Sequence, residues 1–146
     1  MGVGVEPMSQ SAYISLVQGS TLSEIDLAGV QEQLHRYKEQ MQLTGKQLGW
    51  DYADSAFPYS IEQKPEAEGR WFYLKGKSPQ YRYIVVGTGL RESENEPVPY
   101  IHFVLPNDST HGDKSKANEL CKWIGKQLQA EVCMFNGRTI YYNPRK

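Results

Sequence analysis

The stretch Pro106-Asn-Asp-Ser-Thr-His-Gly-Asp-Lys-Ser-Lys116 holds the chain's densest set of groups able to bind an anion. It leaves a strand-like run and enters a helix-like one. A helix start exposes N–H groups that lack intrahelical partners, together with the positive end of the helix dipole. Both attract phosphate or carboxylate. Thr110, His111, Gly112, Lys114, Ser115 and Lys116 would add hydroxyls, an imidazole, a close backbone approach and cationic charge, and these six are the candidate ligand-binding residues. Trp50, Tyr52, Arg145 and Lys146 are candidate neighbours of that ligand. A plainer reading has Thr110 or Asp113 capping the helix, and an acidic cap competes with a bound anion. The phosphate-loop pattern G-x-x-x-x-G-K-[ST] is absent.

Nucleophilic chemistry would fall to Cys121 or Cys133. A reactive thiol needs a neighbouring base and a lowered pKa. Cys121 lies about two turns into its helix, beyond the first turn where the dipole acts. The expectation for both cysteines is a small, inert hydrophobe. An enzymatic site would instead bring His102 or His111 to a carboxylate or to Cys121. The three histidines, His35, His102 and His111, show no H-x-x-x-H spacing, and no C-x-x-C occurs, so no metal site is expected. Asp51 and Asp54 are three apart and can share one side of a turn, although local capping explains them more simply. No cofactor motif is present, and none is expected.

Tyr73, Tyr81 and Tyr83 interleave with Arg70, Lys75, Lys77 and Arg82. Aromatic and basic residues alternating on a sheet can stack single-stranded nucleic acid. The alternative is that Tyr81 and Tyr83 share a face as ordinary cross-strand partners. The charge balance argues against a polyanionic partner: the formal net charge is −1. Its distribution is uneven, with 9 Lys/Arg against 14 Asp/Glu in residues 1–110 and 7 against 3 in residues 111–146.

These residues need elements to position them. Ser11–Val17 reads as a strand that ends at Gly19-Ser20. Leu27, Val30, Leu34, Tyr37 and Met41 recur at helical spacing after the candidate N-cap Asp26, and Gly45 is the expected helix stop. Residues 46–56 read as an ordered connection with a helical turn. Phe57, Tyr59 and Ile61 alternate in a strand that Pro58 marks as an edge or a strand start. Trp71–Leu74 and Tyr81–Val86 flank Gly76-Lys-Ser-Pro79 as a hairpin, Arg91–Pro97 reads as an acidic loop, and Pro99–Leu105 is a further strand. A second helix runs from about Asp113 to Gln129, with Ala117, Leu120, Cys121, Ile124 and Leu128 on one face. Asn136-Gly137 between Val132–Phe135 and Thr139–Tyr142 signals a tight hairpin.

The expected fold is therefore α+β: a two-layer sandwich of a mostly antiparallel sheet with two helices on one face. The order is β-α-β-β-β-β-α-β-β, with a TATA-binding-protein-like or helix-grip-like topology. Residues 8–146 form the single domain, and residues 1–7 are set aside as an N-terminal tail or cloning remnant. With 146 residues, 39% hydrophobic and 23% charged, the chain has the composition of an ordinary globular protein. It has neither an apolar run of membrane-spanning length nor a signal-peptide pattern, so a cytoplasmic protein is expected.

Three stretches carry a resemblance: HGDKSKANELCKWIGKQL (111–128), FNGRTIYYNPRK (135–146) and TGKQLGWDYADSAFPY (44–59). Together the sequence from Met8 to Lys146 resembles an uncharacterised family of small proteins from spore-forming bacilli, known only as a domain of unknown function. The resemblance implies a cytosolic bacterial protein with a compact α+β fold and brings no activity with it. The leading functional expectation is a non-catalytic binding domain for a small anion or a partner protein. An open sheet edge or apolar patch would allow a homodimer.

Overall fold

Alternating apolar residues in the strands and apolar stripes on two helices bury one another in a two-layer arrangement. The computed structural model describes residues 10–48, 57–63, 71–92, 97–106 and 109–143. The elements are β1 (Gln10–Ser15), α1 (Leu27–Leu48), β2 (Tyr59–Glu62), β3 (Trp71–Gly76), β4 (Tyr83–Arg91), β5 (Val98–Leu105), α2 (His111–Leu128), β6 (Glu131–Cys133) and β7 (Thr139–Tyr141). The strands form one open sheet in the order β2-β3-β4-β5-β1-β6-β7, and every pairing is antiparallel. The sandwich and its element order agree with the sequence reading.

The inner face carries Ala12, Ile14, Phe72, Leu74, Ile84, Val86, Ile101, Phe103, Leu105 and Val132, all buried. Against it lie Val30, Leu34 and Tyr37 of α1 and Ala117, Leu120, Cys121, Ile124 and Leu128 of α2. The side chains of Leu27 and Met41 pack at the margin. Each large apolar side chain so enclosed contributes roughly 1.5–3 kcal/mol. Gly125 lets α2 approach the sheet closely: a Cβ there would stand 2.3 Å from Val132 Cγ2.

Several boundaries differ from the sequence reading. α1 continues past Gly45 to Leu48. A single helical glycine costs only about 1 kcal/mol, which a long packed helix absorbs. β4 runs to Arg91 rather than stopping at Val86, because Thr88, Gly89, Leu90 and Arg91 pair with Ile101, Tyr100, Pro99 and Val98. Pairing from β5 overrides the poor strand preference of Gly87 and Gly89. α2 begins at His111 with Thr110 as its N-cap, so Asp113 lies inside the first turn. Tyr81 and Tyr83 do not share a face. Tyr81 precedes β4 and packs edge-on to the buried Tyr59, while Tyr83 points outward beside Tyr73. As its proline suggested, β2 is an edge strand. No helix of the described residues is long and apolar enough to cross a membrane.

Candidate functional site

The start of α2 is built around a fully buried carboxylate, Asp113. Its Oδ1 accepts from the Tyr59 hydroxyl at 2.5 Å. The backbone N–H of Arg82 reaches both oxygens at 3.0 Å, and that of Thr110 reaches Oδ2 at 3.1 Å. Thr110 Oγ1 accepts from the Asp113 N–H at 3.0 Å and donates to the Gln80 carbonyl at 2.6 Å. Thr110 and Asp113 thus form a reciprocal capping box that also ties the helix to the β3–β4 turn and to edge strand β2. Burial, and then the bond to Asp113, push the Tyr59 hydroxyl far above its ordinary pKa.

The six candidate ligand residues divide between packing and solvent. Gly112 is pressed against the β3–β4 turn, where a Cβ would stand 2.7 Å from the Gln80 carbonyl oxygen. Lys116 is buried, with Nζ 3.1 Å from Glu119 Oε1, 3.3 Å from the Tyr37 hydroxyl and 5.8 Å from the centre of the Tyr37 ring. The Tyr37 hydroxyl in turn donates to Glu119 Oε2. His111, Lys114 and Ser115 are exposed. A recess of about 500 Å³ lies beside them, lined by Gln10, Leu105, Pro106, Ser109, Thr110, His111 and Lys114. The carboxylate of Asp113 already occupies the anion-favouring position at the helix start. Trp50, Asp51, Tyr52, Asp54, Arg70, Arg145 and Lys146 lie outside the described residues.

The residues an enzymatic site would combine are dispersed. Cys121 lies in the core at 0% exposure, and burial pushes its thiol pKa up, the opposite of what a nucleophile needs. Cys133 is half-buried on the outer side of β6. His35 and His111 are exposed on separate helices, and His102 lies on the sheet. Among the described residues no three His, Cys, Asp or Glu side chains gather as metal ligands.

The outer face of the sheet is unusual. Antiparallel sheets with one solvated face normally place polar side chains there. Here the outward positions include Trp71, Tyr73, Tyr83, Val85, Val98, Tyr100, Val104 and Tyr13, and no described helix covers them. Pairing sets Trp71, Gly87, His102 and Tyr13 in one row across four strands. His102 stacks on Tyr13, with ring centroids 4.4 Å apart and planes 8° from parallel. Tyr100 meets Tyr13 edge-on at 5.4 Å and lies over Gly89, where a Cβ would stand 2.6 Å from its hydroxyl. Gly87 has no side chain, so the row is interrupted between Trp71 and His102. A cleft of about 220 Å³ opens there, lined by Trp71, Val85, Gly87, Thr88, Tyr100, His102 and Val104. His102 Nε2 is buried in the structure with no hydrogen-bond partner, and desolvation lowers the imidazole pKa. A neutral ring nitrogen on an aromatic-walled cleft can exchange one hydrogen bond with an uncharged ligand.

Sequence reasoning had His102 as a partner for a carboxylate or Cys121 in an enzymatic site, and passed over Trp71, Gly87 and Tyr100 as site residues. The signal was in the strands. In Tyr83-Ile-Val-Val-Gly-Thr-Gly89 and Val98-Pro-Tyr-Ile-His-Phe-Val104 both alternating sets are apolar, aromatic or glycine apart from Thr88, which is not the pattern of a solvated outer face.

An open antiparallel sheet with two helices on one face and an aromatic cleft on the other defines a two-layer α+β domain. The chain belongs to the family described as Domain of unknown function (DUF1885), whose model matches residues 10–144. A crystal structure of a protein of unknown function from Bacillus stearothermophilus is similar to it at 36% sequence identity. That match covers 86% of this chain and 93% of that one, with a TM-score of 0.54. No curated protein matches.

Proposed function

We propose that the protein is a non-catalytic binding domain whose working surface is the open sheet face around Trp71, Tyr100 and His102. The observation that carries this reading is the aromatic-walled cleft lined by Trp71, Tyr100 and His102, the last with a buried Nε2 that has no partner. Ligand sites are concave and mostly apolar, with a few polar groups that fix orientation, and this cleft has that make-up. Tyr and Trp also supply large contact area at low conformational cost. Such a domain would serve a bacterial cytoplasm, as the family resemblance suggested. The test is amide NMR of the full chain with neutral ring fragments: indole, phenol and N-acetylproline amide. The Gly87 and Gly89 amides and the Trp71 indole should shift together. Silence at millimolar fragment, with the protein monomeric at high concentration, would remove the reading.

A second reading keeps the anion at the helix start, with Thr110, His111, Gly112, Lys114, Ser115 and Lys116 as its surroundings. The recess beside His111 and Lys114 favours it. Inorganic phosphate should then raise the melting temperature, and Lys114→Ala should abolish the rise. An unchanged melting temperature at millimolar phosphate would count against it.

A further inference from the structure

Building on the open-face reading, we infer that the gap at Gly87 receives a proline ring from an extended, proline-rich segment of a partner protein. Three properties of the cleft select this occupant. The first is width. Trp71 and His102 are rooted on strands either side of β4, two strand spacings or roughly 9.5 Å apart. A flat ring touching both walls needs them only about 7–8 Å apart, at about 3.5–4.0 Å per contact. The extra width suits a thicker, puckered ring. The second is charge. Outward-facing Lys75 and Arg91 are matched on the same face by Glu62 and Glu131, so the face offers a phosphodiester no net cationic track. A near-neutral face complements an uncharged segment. The third is hydrogen bonding. A polyproline II segment has no internal hydrogen bonds, so its carbonyls need donors from the partner. The Trp71 indole N–H and the Tyr100 hydroxyl can donate; His102 Nε2, buried in the free protein, would join them only if the ring turned outward in the tautomer that carries its proton there. Such a segment is already stiff, and it docks in aromatic-lined grooves with little loss of entropy.

The experiment is amide NMR of the full ¹⁵N-labelled chain titrated with decaproline, with a Gly/Ser decapeptide as control. Decaproline should shift Gly87, Gly89 and the Trp71 indole, while the control leaves them unmoved. Trp71→Leu removes one wall. His102→Phe keeps the stack on Tyr13 and removes the nitrogen, so it serves if Trp71→Leu fails to fold. Either variant should weaken decaproline binding about tenfold or more, and Lys122→Ala on the exposed face of α2 should not. No shift at millimolar decaproline, shifts confined to other surfaces, or affinity unchanged in a folded variant would overturn the inference. If decaproline is silent while ring fragments, oligo(dT) or a second copy of the chain move the same amides, only the proline assignment fails. If none of these probes moves them, the open-face reading fails with it.

Discussion

The start of α2 and the gap at Gly87 are opposites. The helix start is rich in polar groups and joins most of them to one another: Asp113 takes donors from Tyr59, Arg82 and Thr110, and Thr110 answers Gln80. The gap is poor in polar groups and leaves His102 Nε2 unmatched, as the edge of the helix start leaves Ser109 Oγ. A cluster of donors and acceptors can therefore be a fastening, while a missing side chain between two rings can be a receptacle. What separates the two is what their hydrogen bonds join: at the helix start they fasten α2 to β2 and to the β3–β4 turn.

The sharpest way to break this comparison is Asp113→Ala. It leaves the buried Tyr59 hydroxyl and two backbone N–H groups without their acceptor, and should cost about 3 kcal/mol or more in urea denaturation. A cost below about 1 kcal/mol would mean that water replaces the carboxylate and the cluster is not a fastening. Next in size is Gly112→Ala, whose Cβ would press on the Gln80 carbonyl oxygen. It should cost about 1–3 kcal/mol by the same measurement, since the backbone there has little room to yield. On the opposite side, Trp71→Leu should change stability by only about 1 kcal/mol or less while removing ligand shifts at Gly87. A loss as large as that from Asp113→Ala would make Trp71 part of the scaffold.

The smallest expected effect is pH-dependent. Desolvation lowers the His102 pKa in the folded protein, so below its unfolded value of about 6.5 the unfolded chain binds more protons. Its contribution to stability is whole above that pH and is lost as pH falls through the interval below it. Denaturation midpoints between pH 7 and 5 should decline less in His102→Phe than in the parent. Equal declines would show that His102 does not contribute to the slope.

Much of the fold was legible because it is written locally. The stripes Leu27–Met41 and Ala117–Leu128 fall on the core as their spacing requires. The hairpin signalled by Asn136-Gly137 forms, but through a longer turn than the two-residue one that pair favours: the Gly137 N–H closes on the Met134 carbonyl, and Gly137 takes the positive φ, 88°, while Asn136 does not. The helix-start residues were visible as a polar cluster, but their acceptors and donors come from Tyr59 and Arg82, 54 and 31 positions from Asp113. No local pattern announces such partners. The gap at Gly87 was harder still. In the sequence that glycine weakens a strand. Only the register that brings Trp71, His102 and Tyr13 alongside gives it a neighbourhood.

The position of β1 bears on how the chain reaches this state. The earliest of the described strands in sequence, it sits between β5 and β6, which are made much later. Its two edges stay unmatched until β5 and β6 have been made. Loop closure of that span must come before its ladder bonds can form. Assembly is therefore expected to be slow for this size, with Ala12 and Ile14 the last core residues to be sealed in.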